Sequence, residues 1–446
     1  MFKVEDLRNI ENLQFSNLCG NEIISGAAID SRKVSKGSIY FALRGRNFDG
    51  HQFVESAIRN GAVLAVVEND FPESSLPHIR TDNVIAAMGK IAQAYRKFIK
   101  GTVIGITGSN GKTTTKEMIF SVLSKKYKVS KTLGNLNNYQ GLPLTLLNTP
   151  LDCEYAVIEI GTNSPGEIKY LSDILNPDIA LITNIGDSHL EKLVNRFGVL
   201  DEKLEIFRNC SNNNGTVFIN RGDELLAKLI TKYGKTINYG TTPKCDFIFQ
   251  NAEIDENGYA ILEINDSIFN LNSIGITSSL NARAAYSVCK YLGVDDEIIA
   301  MGLKEFSSEG NRLRKIKILN CDIILDCYNA NPSSMKASLD GFSKIKGSKS
   351  LIIGDMKELG MESKRLHETL FDDLKLSNFD TIILIGDEMR ALHERHREST
   401  FWFRSKLEAK VKVDFVIKNS EHLLVKASRS MELETLISEF AGEIVV

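Results

Sequence analysis

Short apolar runs recur along the chain, each emptying into a polar or glycine-containing loop and then into a stretch of helical period. The sharpest is Thr102-Val103-Ile104-Gly105-Ile106, followed by Thr107-Gly108-Ser109-Asn110-Gly111-Lys112-Thr113-Thr114-Thr115. Beyond it, Met118, Ile119, Val122 and Leu123 fall on one helical face, with Lys125 and Lys126 expected in the last turn, where cations suit the dipole. The pattern predicts a strand, a loop and a helix.

Upstream, Ser38 to Leu43 and Val63 to Val67 read as strands among polar turns. Residues 83–99 read as a helix, with Ile85, Met88, Ile91, Ala92, Tyr95 and Phe98 on one side, connecting a first unit to a second. Downstream, Tyr155 to Ile160 and Ile179 to Thr183 are continuous apolar runs of the kind buried on both faces of a parallel sheet. Ligands bind outside the carboxyl ends of such strands, so Glu159, Asn163, Asn184 and His189 converge on the 107–115 loop if the strands are neighbours. The stretch from Cys245 to Ser273 alternates around Asp255-Glu256-Asn257-Gly258, a hairpin signal for a small antiparallel appendage. From Arg312 onward, strands are predicted at 322–325, 350–353 and 381–385, each followed by a polar or glycine-containing loop and helical stretches. The loop Gly354-Asp355-Met356-Lys357-Glu358-Leu359-Gly360 lacks the G-x-G-x-x-G spacing, which speaks against a bound dinucleotide.

The fold class expected is α/β with three domains: a small N-terminal α/β domain over 1–82, a central phosphate-loop domain with a mostly parallel sheet over 83–310, and a C-terminal Rossmann-like domain over 311–446. A length of 446 residues and 43% hydrophobic content suit that count. The net charge of −3 carries no basic field for nucleic acid. Seven scattered cysteines without a C-x-x-C pair argue against disulfide scaffolds and zinc sites and fit a reducing compartment. The N-terminus lacks the apolar core of a signal peptide, and no run of apolar residues is long enough to span a bilayer. A cytoplasmic protein without membrane insertion is expected.

Chemistry concentrates at the 107–115 loop. Its glycines let backbone N–H groups close around phosphate oxygens, Lys112 can reach terminal phosphates, and the Thr113 hydroxyl can meet Mg²⁺. The common pattern G-x-x-x-x-G-K-[ST] puts its first glycine at Ile106, with Gly105 and Gly108 on either side. The bland alternative is a turn whose lysine is merely exposed; the strand–loop–helix context favours phosphate. Glu159 and His189 offer an oxygen and an imidazole that, with ATP phosphates, make an adequate Mg²⁺ sphere, although His189 alone reads as a loop histidine. Lys203, with acidic neighbours Asp201, Glu202 and Glu205, reads as a solvated helix lysine. Asp30-Ser31-Arg32 and Asn47-Phe48-Asp49-Gly50-His51, taken alone, read as ordinary loops.

These pieces stand in the order seen in the Mur ligases, ATP-dependent enzymes of peptidoglycan stem-peptide synthesis, and the resemblance covers nearly the whole chain. Thr107 to Thr115 resembles their phosphate loop, offset glycine included, which implies ATP contacts from Thr107, Gly108, Ser109, Asn110, Gly111, Lys112, Thr113 and Thr114. Arg312 and Asp326 match positions that hold the nucleotide. The family's His-Asn pair is replaced by Thr277-Ser278, so either Ser278 or Asn281 meets the adenine or the base is held differently. The resemblance makes Thr113, Glu159 and His189 magnesium ligands, and Lys203 a carbamate-bearing lysine that joins them; Lys112, Lys203 and His189 become the catalytic candidates. Gly134 to Asn138 with Gly141 to Thr145 resembles the segment lining the cleft, which implicates Asn137 and Asn138 in substrate binding. Asn329 and Asn331 in Tyr328-Asn329-Ala330-Asn331-Pro332 join them, while Ser31, Arg32, Asn47, Asp49, Gly50 and His51 resemble a UDP-sugar site. Ser188 and Cys327 replace an alanine and a serine common in the family.

Within the family, the 328–332 and 354–360 segments, Leu424 to Met431, and the absence of an Asp-Asn-Pro-Arg signature resemble the branch that adds D-alanyl-D-alanine to UDP-N-acetylmuramoyl-tripeptide. The resemblance implies a monomer with ATP and Mg²⁺. Its rivals are the folylpolyglutamate synthetase branch, which would not need residues 1–81 as a UDP-sugar module, and a nucleotide-dependent switch that only hydrolyses ATP slowly.

Overall fold

The computed structural model describes residues 1–229, 233–264, 267–307 and 310–441; residues 265 and 266 of the expected hairpin region and 442–446 of the expected last domain lie outside the described residues. Accompanied by a two-stranded pair and a three-stranded antiparallel sheet, three large sheets follow one another along the chain. The first has five strands in the order Gln14–Ser16, His78–Thr81, Leu64–Glu68, Ser38–Phe41, Gly26–Ala28, parallel except at the first pair. Helix Val84–Arg96 leads out of it, its first turn held by the Asn83 side chain accepting from Ala86 N at 2.9 Å. Its apolar face, Met88, Ile91 and Ala92, is fully buried between the first sheet and the next, so one continuous core joins them.

The middle sheet has seven parallel strands in the order Phe247–Ile248, Lys235–Gly240, Thr216–Asn220, Ile179–Ile182, Thr102–Thr107, Tyr155–Glu159, Val129–Lys131. Alternate residues serve opposite layers: Val103 packs toward helix Arg196–Asn212, Ile104 toward helices Lys112–Leu123 and Ile276–Tyr291. The strands 155–159 and 179–182 are not each other's neighbours; each pairs with 102–107, one on either side. From 102–107 the chain fills one side of the sheet and then crosses to the other, which makes the end of that strand a topological switch point. Helix 112–123 closes at Ser124, so Lys125 and Lys126 lie just past it rather than in its last turn, and Lys125 pairs with Glu305. The 255–258 turn joins Glu253–Ile254 to Tyr259–Ile264, and Ser267–Ile274 adds a third antiparallel strand.

The third sheet runs Arg314–Ile318, Cys321–Asp326, His422–Lys426, Lys349–Gly354, Thr381–Ile385, Phe401–Phe403, with only the first pair antiparallel. Sequence reading found three of these strands. The pattern does not mark 314–318, 401–403 or 422–426; the last is one of the two central strands, and its run Leu423-Leu424-Val425 is too short to stand out between His422 and Lys426. No helix among the described residues is long and apolar enough to cross a membrane.

Candidate active site

Two glycines fix the shape of the loop after strand 102–107. Gly108 (φ +152°) passes so close to the neighbouring strand end that a Cβ would lie 1.8 Å from Thr183 Oγ1. Gly111 (φ +78°) opens helix 112–123, and a Cβ there would lie 2.0 Å from Asn281 Oδ1. Gly111→Ala is therefore expected to cost about 1–3 kcal/mol and to show none of the stabilisation by ADP expected of the native protein. Denaturation midpoints with and without ADP check both.

The 179–188 segment clamps the loop from one side. Ser109 N donates to Asn184 O at 3.0 Å, Asn110 N to Asn184 Oδ1 at 3.0 Å, Asn184 Nδ2 to Asn110 O at 3.0 Å and Thr183 Oγ1 to Asn110 O at 2.5 Å. Lys112 Nζ folds back to donate to Gly108 O at 2.7 Å, over the concavity that phosphate oxygens would fill. Burial pulls its ammonium pKa below the ordinary lysine value; the Glu159 charge opposes the shift and the Arg312 charge adds to it. Arg312, carried by the start of the third unit, thus makes its charge felt at the loop while its guanidinium stacks 3.5 Å from the Tyr328 ring.

Glu159 ends strand 155–159, 2% exposed. Its Oε2 accepts from Thr113 Oγ1 at 2.8 Å and its Oε1 from Asn137 Nδ2 at 2.8 Å. A hydroxyl and a carboxylate in contact at the foot of a phosphate loop are hard oxygen donors suited to Mg²⁺. Among the described residues no group of three or more His, Cys, Asp or Glu side chains gathers to hold a metal, so an ion here would take few protein ligands and the rest from phosphate and water, as Mg²⁺ commonly does.

Lys203 corrects the sequence reading. It is 1% exposed, not solvated, and its amine makes no hydrogen bond or ion pair among the described residues. Its pKa is pushed well below the ordinary value, first by burial, then by the Lys112 charge, with Glu202 opposing. The signal lay in the helical period: Val199, Lys203, Ile206, Phe207 and Cys210 form the buried stripe of helix 196–212, so the lysine stands in a core position. Glu202 is spoken for, accepting from Gly166 N and Ile168 N at 2.7 Å each.

His189 makes its side-chain bond to a different unit from Glu159's partners. Its Nδ1 meets Glu358 Oε2 at 2.6 Å, across to the 354–360 loop of the third sheet. A second bridge joins the same two units: Asn110 Nδ2 donates to Ser333 Oγ at 2.9 Å and Asn331 Nδ2 to Asn110 Oδ1 at 2.8 Å. Asn331 also caps helix Pro332–Ser343 by accepting from Ser334 N at 2.9 Å. Sequence reading missed Ser333 and Glu358, which no local pattern marks. Asp326 is held by Lys426 and by Ser338 Oγ at 3.0 Å, and the Asn329 side chain turns back to Ala330 N at 2.9 Å.

Of the two adenine candidates, Asn281 faces the loop glycine, whereas Ser278 is fully buried, bonded to Ser273 Oγ at 2.7 Å and to Ile274 O at 2.8 Å. The N-terminal candidates gather at one end of the first sheet. Ser31 and Arg32 follow strand 26–28, and Asn47, Asp49, Gly50 and His51 follow the adjacent parallel strand 38–41. Arg32 is exposed and paired with Asp30, and Asn47 is exposed. His51 uses both nitrogens internally, Nδ1 with Asp49 Oδ1 at 2.6 Å and Nε2 accepting from Glu68 N at 2.9 Å, while Gly50 O accepts from Tyr40 OH at 2.9 Å. None of their hydrogen bonds reaches the phosphate loop among the described residues. Asn138 precedes helix Gly141–Leu147, its Oδ1 accepting from Gly141 N at 2.9 Å.

Comparison with known proteins meets this arrangement segment by segment. The sequence pattern described as "Mur ligase family, catalytic domain" matches residues 23–96, "Mur ligase middle domain" residues 106–289, and "Mur ligase, glutamate ligase domain" residues 311–429. The UDP-N-acetylmuramoyl-tripeptide–D-alanyl-D-alanine ligase of Bacillus subtilis is 37% identical, over 94% of this chain and 93% of its own. The crystal structure of MurF from Acinetobacter baumannii superposes with a TM-score of 0.85 at 31% identity, covering 94% of each chain. That of MurF ligase from Thermotoga maritima in complex with ADP gives 0.82 at 29% identity, over 94% of this chain and 97% of that one. Three matched segments in chain order and a relative 37% identical over nearly the full length show that the chain belongs to the Mur ligase family.

Proposed function

We infer that this chain joins D-alanyl-D-alanine to the terminal carboxylate of UDP-N-acetylmuramoyl-tripeptide in peptidoglycan synthesis, driven by ATP through an acyl phosphate. The observation that carries the chemistry is the buried Thr113–Glu159 contact beneath Lys112, beside the unpaired buried amine of Lys203. A carboxylate is a poor electrophile. Its oxygen attacks the γ-phosphorus of ATP and ADP leaves; the amine nitrogen then attacks the carbonyl carbon, loses a proton, and inorganic phosphate departs with one oxygen of the original carboxylate. Lys112, exchanging Gly108 O for phosphate oxygens, offsets charge that grows on the transferring group. Mg²⁺, when bound through Thr113 and Glu159 with His189 as a further ligand, supplies the remaining positive charge. UDP-sugar binding belongs to the loops at 31–32 and 47–51. A cytoplasmic monomer fits the same reading, and all seven cysteines are free, six of them buried.

The test is isotopic. With ¹⁸O in the terminal carboxylate of the tripeptide substrate, released phosphate should carry one ¹⁸O per turnover and appear in step with amine consumption. Phosphate whose new oxygen comes only from water, at a rate indifferent to D-alanyl-D-alanine, would mark a nucleotide switch instead.

Lys203 adds a second test. A carbamate forms when a neutral amine attacks CO₂ and releases a proton, and the depressed pKa keeps more of this amine neutral near pH 7 than an exposed lysine's would be. The product is an anion able to hold metal. Lys203→Ala is expected to lower turnover by on the order of a hundredfold, with partial recovery on adding formate or acetate. Full activity in the variant, or an ammonium still unmodified in the active protein by ¹³CO₂ labelling, would remove Lys203 from the mechanism.

A further inference from the structure

The geometry points to Glu358, on the third-sheet loop 354–360, as the positioning residue that fixes the His189 imidazole for the metal, so that the site is complete only when the middle and third sheets are docked. The inference rests on the reading of His189 as a magnesium ligand. A carboxylate can only accept, so at 2.6 Å from Glu358 Oε2 the His189 Nδ1 must carry the proton. In the neutral ring that puts the lone pair on Nε2, which makes no hydrogen bond among the described residues and so can face a cation. A ring nitrogen bonded to a carboxylate while the other faces a cation is the usual arrangement for an oriented, more basic histidine ligand.

Backbone geometry on both sides is set up for this contact. His189 (φ +54°) and Glu358 (φ +63°) both occupy the left-handed region, which non-glycine residues rarely adopt. Glu191 N donates to Glu358 O at 3.2 Å, and Gly360 (φ +57°) packs so that a Cβ would lie 3.0 Å from Glu191 Cα. An ordinary surface ion pair would need neither the backbone bond nor the two unusual conformations. Because one partner follows strand 179–182 and the other strand 349–354, orientation of the ligand and docking of the two sheets are a single event. By linkage, metal–nucleotide binding then favours the docked arrangement by the same factor that docking favours metal binding.

The experiment uses the full chain with a non-hydrolysable ATP analogue and Mn²⁺ as a spin probe for Mg²⁺. Wild type should show imidazole-nitrogen coupling to Mn²⁺ by pulsed electron paramagnetic resonance. Glu358→Ala, at a side chain 56% exposed and so compatible with folding, should bind Mn²⁺ about 10–100-fold more weakly and lose or disperse the coupling. Glu358→Gln keeps an oxygen to accept from Nδ1 and should restore both. In the His189→Ala background, Glu358→Ala should add nothing, because it acts through the ring. If His189→Ala binds Mn²⁺ as wild type does and wild type shows no nitrogen coupling, His189 is not a ligand and the reading beneath the inference fails. If His189→Ala weakens Mn²⁺ while Glu358→Ala leaves affinity and coupling unchanged, His189 stands and the role of Glu358 is overturned.

Discussion

Lys112→Ala is expected to reduce turnover at saturating ATP by about a hundredfold to a thousandfold, or roughly 3–4 kcal/mol of transition-state stabilisation, while the protein stays folded. Folding should survive because the Lys112 ammonium makes one hydrogen bond, to Gly108 O in its own loop, and no ion pair among the described residues. Nothing else within the 107–115 loop carries positive charge to the phosphates. Arg312 lies close enough to lower the Lys112 pKa, but it is stacked on Tyr328 and enters from the third unit. It contributes to the field without replacing the loop's own contact. The measurement is single-turnover acyl-phosphate formation alongside a melting curve. Near wild-type turnover in a folded variant would remove the phosphate-loop assignment, and with it the reason for placing ATP at this end of the sheet.

How much could be read beforehand depended on how local each feature's cause is. The phosphate loop was legible because a strand, its glycines and a helix are dictated by a contiguous stretch of sequence. Its flanking strands were legible too, since Val157, Ile158, Ala180 and Leu181 are buried on both faces and leave a continuous apolar run. Lys203 misled because three acidic neighbours suggest a solvated face, although the period of Val199, Phe207 and Cys210 places it inward. Cross-unit contacts were invisible. Asn110 meets Asn331 and Ser333, and His189 meets Glu358, only because separate sheets dock, and nothing in 184–194 or 354–360 announces the partner. Strand 422–426 was missed for a related reason. Its place in the middle of the sheet is set by pairing with 321–326 and 349–354, far away in sequence.

The second large effect concerns the amine: D-alanyl-D-alanine should be ligated to UDP-N-acetylmuramoyl-tripeptide, while lysine and diaminopimelate are refused by a factor of about 10⁴. We place the groups that read the dipeptide at the carboxyl ends of the third sheet, because ligands of open α/β folds bind there. There Lys426 is 2% exposed and committed to Asp326, whereas Lys357 is about half exposed, 2.9 Å from the buried carboxylate of Asp355, with its own N–H donating to Ser428 Oγ at 2.9 Å. Both lysines are paired, but Lys357 is the more exposed, and we propose that it exchanges Asp355 for the carboxylate of the second D-alanine. A single amino acid would place its carboxylate short of that cation, and a diamino acid would bring a second ammonium toward it; a site shaped to hydrogen-bond the second D-alanine leaves its donors unmatched by either. The assay supplies the tripeptide and dipeptide forms of the UDP-linked substrate separately, each with D-alanyl-D-alanine, lysine and diaminopimelate, and follows phosphate and ligated product. Lys357→Ala should raise KM for the dipeptide far more than for ATP. Faster ligation of a diamino acid to the dipeptide substrate than of D-alanyl-D-alanine to the tripeptide would assign this chain to the preceding step of stem-peptide assembly, leaving the ATP site as described.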